Sequence, residues 1–227
     1  MTEDRLALEG QPWAPDFRHG VRMAVHLEIV TVVWMLAEAT LAIGAGIAAR
    51  SVALTAFGLD SVIELLTGGT LLWRLVVELR AADLHRVDRA ERRAAWLAAV
   101  ALLVLCLYVA GTSALSLATR THPEASLLGI GVAGVALIGM PVLAVRKRHL
   151  ATLIGSAALR GDAACSVTCA CLAGTTLVGL ALNALLGWWW ADSAAALVLL
   201  YWLGREAREA WHGAREGRHD ACCGRLA

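Results

Sequence analysis

The chain has 227 residues, 59% of them hydrophobic, and a mean hydropathy of +0.64; an ordinary soluble domain is roughly 45–50% apolar. A formal net charge of +1 excludes the basic patch that a nucleic-acid binder needs. Apolar runs of about 20 residues, long enough to span a bilayer, recur along the chain and leave no room for a second folded domain. The expected fold is an all-α membrane protein, a bundle of six transmembrane helices.

The first run covers roughly Met23 to Ala48 and carries Glu28 and Glu38. Arg50 and Ser51 form a short turn into the second run, which extends to about Trp73 and contains Asp60 and Glu64. A charged segment follows from Arg74 to Arg93. Runs three (about Ala94 to Leu117) and four (about Ala125 to Val145, with Pro141 as an expected kink) flank a short polar loop. The basic group Arg146-Lys147-Arg148-His149 reads as the loop before run five, roughly Ser156 to Leu180. Run six starts near Trp190, with Asp192 as its expected N-cap, and passes into a charged helical end containing His212. Residues 1–20 are expected to be a cytoplasmic segment, 21–204 the membrane domain, and 205–227 a cytoplasmic helical end with a Cys/His tail. The N-terminus lacks the basic-then-apolar pattern of a cleavable signal peptide.

Arg and Lys in short loops favour the cytoplasm. Here they gather in the N-terminal arm, the loops after runs two and four, and the tail. That alternation predicts six spans with both ends inside. Trp188, Trp189 and Trp190 then belong to the outer interface, and Trp73, Trp96 and Trp202 to the inner one.

Ionisable groups at membrane depth cost about 2.5–3.5 kcal/mol each, so each needs a partner or a role. Asp60 and Glu64 are four apart and share one helix face. Two close carboxylates repel unless a proton or a cation lies between them. Run five offers Asp162, Cys165 and Cys169 at i, i+3 and i+7, one stripe of a helix. Both groups fall near the centres of their runs, so a carboxylate pair and a thiol pair are expected to meet from antiparallel helices. Four ligands suffice for a tetrahedral metal site, although either thiol alone also fits plain packing. Cys106 and Cys171 read as core. Glu28 and Glu38 either relay protons and line the access path or pair with His26 or other polar groups. In the tail, His219, Cys222 and Cys223 form a short stretch that is either a second metal-capture point or a disordered end.

Asp60-Ser-Val-Ile-Glu64 resembles the acidic pair in the second span of the cation diffusion facilitator family, and Asp162-Ala-Ala-Cys165-Ser-Val-Thr-Cys169 is similar to that family's Asp-x-x-His-x-x-x-Asp in the fifth span. Trp190-Ala191-Asp192 looks like the start of its sixth span. The resemblance implies Asp60, Glu64, Cys165 and Cys169 as metal ligands, Asp162 as a proton carrier or alternate ligand, and six spans with both ends inside. Two thiols replace the family's His/Asp pair, which favours Zn²⁺, Cd²⁺ or another soft metal over Mn²⁺ or Mg²⁺. The family's cytosolic domain has no counterpart in these 227 residues, so the expected homodimer rests on membrane contacts.

The expected function is secondary export of a divalent transition metal, Zn²⁺ by preference, by proton antiport. The chain is not expected to be an enzyme or to hold a resident cofactor; its partners are the metal, protons and the lipid bilayer, in a bacterial-type plasma membrane. Two other readings remain: a membrane dithiol oxidoreductase using Cys165, Cys169 and Cys171, and a non-transporting metal sensor or scaffold.

Overall fold

The computed structural model describes residues 14–79 and 85–216. Six helices account for nearly all of them: α1 (Ala14–Ala49), α2 (Val52–Leu79), α3 (His85–Thr119), α4 (Leu127–Ile154), α5 (Ala157–Leu186) and α6 (Trp189–Glu216). No strand occurs among the described residues. Five helices, α1 to α5, are long and apolar enough to cross a membrane. Their outer faces carry large apolar side chains that the protein leaves mostly uncovered, such as Leu107, Leu127 and Leu185 at 75%, 83% and 83% exposure. A chain built this way is an integral, multi-pass membrane protein.

The helices extend beyond the apolar runs because an α-helix satisfies its own backbone hydrogen bonds whatever side chains it carries. Thus α1 begins at Ala14, inside the expected N-terminal segment, and α6 continues to Glu216 across the expected boundary at 204. The expected loop at Arg146-Lys147-Arg148-His149 is helix, the last turns of α4. Pro141 lies within α4, which continues unbroken past it.

Packing arranges the helices in two rows of three. Within one row α1 touches α2 and α2 touches α3; within the other α4 touches α5 and α5 touches α6. Across the rows α1 meets α4, α2 meets α5 and α6, and α3 meets α6. Helix α2 therefore sits at the centre, and 56% of its most apolar stretch is buried against 33–39% for the other four spans. The α1–α2 hairpin closes tightly: a Cβ added at Gly46 would fall 2.5 Å from Thr55 Oγ1, and one at Gly58 would fall 2.8 Å from the backbone nitrogen of Ile43. Glycine at these two positions lets the helix backbones approach.

The turns use standard helix-end chemistry. Gly155 and Gly187 end α4 and α5 in the left-handed conformation, at φ 67° and 65°. Arg50 and Arg120 take the same role after α1 and α3 with φ 53° and 51°. Ser126 and Ser156 cap α4 and α5 through their side chains. Asp192 behaves differently from the expected N-cap of its own helix. From the first turn of α6 its carboxylate accepts from Ser51 Oγ at 2.5 Å and from the Val52 backbone N–H at 2.8 Å. It thereby caps α2 and pins the α1–α2 turn to α6. Asp192→Ala should cost about 1–2 kcal/mol of stability, measured by thermal unfolding in detergent.

At the same end, Trp188 and Trp190 stack with ring centroids 5.3 Å apart. At the other end, Trp96 near the start of α3 meets Trp211 near the end of α6 edge-on at 5.1 Å. Amphipathic indoles at both ends of a bundle suit an interfacial belt.

Candidate cation site

Buried charge is concentrated in two clusters. The first forms where α1, α2, α5 and α6 converge. Along α2 the residues Phe57, Asp60, Ser61, Glu64 and Gly68 share one buried stripe at three- and four-residue spacing, so the central helix aims both acids into the bundle. Asp60 is 1% exposed and Glu64 3%. None of their four carboxylate oxygens has a hydrogen-bond partner.

Around this pair stand Glu38 from α1, Cys169 from α5 and Glu206 from α6, all buried. Glu38 is firmly held: Trp34 Nε1 donates to Oε2 at 2.6 Å, and Ser61 Oγ donates to Oε1 at 2.7 Å. The Cys169 thiol also points at Glu38 Oε1, at 3.6 Å. Glu38, Glu206 and Cys169 each lie within electrostatic reach of both Asp60 and Glu64. Cys106 of α3, half-buried, packs against the apolar core as expected, within electrostatic reach of Asp60 and Glu206.

Four buried carboxyl groups this close repel one another unless protons or a cation lie among them. The donor set, oxygens plus one thiol, suits a borderline or soft divalent metal. The candidate donors nevertheless stand apart. Among the described residues, no three His, Cys, Asp or Glu side chains are gathered closely enough to hold one metal ion.

The expected ligands therefore separate. Asp60, Glu64 and Cys169 come together. Cys165, one helical turn away and also buried, is disulfide-bonded rather than a free thiol. Cys169 and Cys171 are both free, so a Cys165–Cys169 bridge, the form an oxidoreductase would display, is not what α5 carries. Cys171 lies on another face, lining an outward apolar groove with Leu137 and Pro141. The tail residues His219, Cys222 and Cys223 lie outside the described residues.

Asp162 belongs to the second cluster. The Lys147 ammonium of α4 pairs with Asp162 Oδ2 and with Glu28 Oε2 of α1, the latter at 3.1 Å. Lys147, read from sequence as a loop residue, has no exposed surface at all. Glu28 does not pair with His26, whose ring nitrogen bonds the Arg22 carbonyl. Asp162 is on the expected stripe of α5, but seven residues before Cys169, about 10 Å along the helix. That distance puts it one tier away, with the lysine.

Sequence reasoning missed Lys147 and Glu206. A signal for both was present: Met140, Ala144, Lys147 and Ala151 repeat at spacings of 4, 3 and 4, as do Leu199, Leu203, Glu206 and Ala210. A charge that falls on an inward stripe is buried with it.

The fold and site define a multi-pass helical membrane protein with a carboxylate-rich centre. No protein-family model matches the chain, and no curated protein matches it.

Proposed function

We propose that this protein is a secondary transporter that exports a divalent transition-metal cation, Zn²⁺ by preference and Cd²⁺ or another soft metal in its place, in exchange for protons. The observation that carries the reading is the buried Asp60–Glu64 pair, four carboxylate oxygens without a hydrogen-bond partner, beside the Cys169 thiol. Keeping such a pair at membrane depth is costly unless it binds something positive. The resemblance of Asp60-Ser-Val-Ile-Glu64 to the second-span motif of the cation diffusion facilitators supports the same conclusion.

Asp60, Glu64 and Cys169 are the ligands, with Glu38 as a neighbouring carboxylate held ready by Trp34 and Ser61. Binding draws these side chains inward from the looser arrangement of the resting bundle. Carboxyl and thiol groups must release protons to take the metal, and protons arriving from the other side displace it. That exchange couples the two fluxes when the bundle rocks between inward and outward access.

In this reading α6 is the sixth span and both termini are cytoplasmic. Only about twelve residues of α6, Ser193–Gly204, are predominantly apolar, about 18 Å of helix. Its remaining turns continue into the inner interface, where Glu206 reaches the acid cluster. The protein acts as a homodimer through membrane contacts, in a bacterial-type plasma membrane.

The test is metal-driven proton movement. Purified protein in sealed liposomes should acidify the metal-free compartment's opposite side when Zn²⁺ or Cd²⁺ is added, and Asp60→Asn should remove the signal. A wild-type protein that moves neither metal nor protons would refute the transport reading.

A further inference from the structure

Lys147 is the chain's only lysine. A lysine near a helix end ordinarily runs its head group to the interface. This one is fully buried and turns inward between Glu28 and Asp162. One ammonium against two carboxylates, when both are ionised, leaves the cluster one positive charge short of neutral, so it still favours a cation. Glu28 Oε1 has no hydrogen-bond donor. It lies against α2 at Gly68, where an added Cβ would come within 3.0 Å of it. Glycine there makes the room that the carboxylate occupies.

We propose that Glu28 and Asp162 form a second cation site, which the protein's own Lys147 occupies as a tethered competitor. Its donors are all oxygen, so it selects a harder divalent cation than the thiol-bearing acid cluster does. The two sites are stacked along the same helices. Glu28 and Glu38 are ten residues apart on α1, and Asp162 and Cys169 seven apart on α5, about 15 and 10 Å. Gly68, which cradles Glu28, is one turn from Glu64. A covalently attached ammonium has a very high effective concentration, so the native chain keeps this site closed to free ions. Withdrawing the ammonium opens it.

The experiment counts Mn²⁺ bound to the full chain in detergent, from the loss of the free-ion paramagnetic resonance signal. Lys147→Gln should bind about one Mn²⁺ per chain more than wild type. Adding Glu28→Gln and Asp162→Asn should abolish the gain, and Lys147→Arg, which keeps a cation in place, should show none. An unchanged count in Lys147→Gln, or a gain that survives loss of both carboxylates, would overturn the proposal. If Lys147→Gln is misfolded when purified without metal, Mn²⁺ supplied throughout purification should restore a monodisperse protein; failure to do so also overturns it. The comparison is with wild type, so it is independent of whether the Asp60–Glu64 centre binds metal.

Discussion

Replacing Asp60 by Asn together with Glu64 by Gln should abolish metal binding and, at the same time, make the metal-free protein harder to unfold. The two effects have one cause. Both carboxyl groups are enclosed, with no hydrogen-bond partner at any of their oxygens, in a cluster that includes two further buried acids. Burying a neutral amide costs far less than burying a charge, and the like-charge repulsion vanishes with the substitution. The expected gain is about 1–3 kcal/mol. Metal affinity should fall by more than the roughly 100-fold that loss of a mere supporting group causes. Thermal unfolding and calorimetric titration with Zn²⁺ on the same samples read both. A double variant that is less stable than wild type would identify the pair as structural and remove the reason to expect a ligand there.

Lys147 should behave in the opposite way. Lys147→Met strips the ammonium from a cluster holding Glu28 and Asp162, and removing one partner of a buried ion pair costs about 3–5 kcal/mol. Neutralising the acids as well, with Glu28→Gln and Asp162→Asn, should recover most of that loss, because a triad without charge leaves nothing uncompensated. The triple variant is then more stable than Lys147→Met alone. Purely additive losses, measured by thermal unfolding, would show that each side chain contributes through packing instead of charge. The triad ties α1, α4 and α5 together, so its loss should also broaden the transition.

The contrast between the two clusters explains what the sequence disclosed and what it hid. Five spans were legible because a bilayer demands long apolar stretches, and nothing else in a chain of this length supplies them. The ends of the helices were not legible: α4 passes straight through Arg146-Lys147-Arg148-His149, where charge density alone signals a loop. The pairing of Asp60 with Glu64, and their approach to Cys169, followed from helical spacing and from the centres of two runs. Spacing says which face a residue occupies but is blind to depth over two turns, so it groups Asp162 with Cys169 although Asp162 sits with Lys147. Asp192 misled for a related reason. A carboxylate at a helix start ordinarily caps that helix, yet the close approach of the α1–α2 turn brings Ser51 and Val52 within its reach. Glu206 and Lys147 were recoverable, since each occupies a position in the inward repeat of its helix. In a membrane bundle that repeat is a better guide to charged residues than their local company, because lipid leaves an intramembrane charge nowhere else to go.

A divalent metal bound by the α2 carboxylates and the α5 thiol would carry a distinctive coordination shell. Zn K-edge X-ray absorption on the detergent-solubilised protein loaded with one equivalent of Zn²⁺ tests it directly. The expected result is a mixed shell, with oxygen at about 2.0–2.2 Å and one sulfur at about 2.3 Å, and loss of the sulfur contribution in Cys169→Ser. A spectrum without sulfur in the wild type, or one that Cys169→Ser and Asp60→Asn leave unchanged, would contradict it.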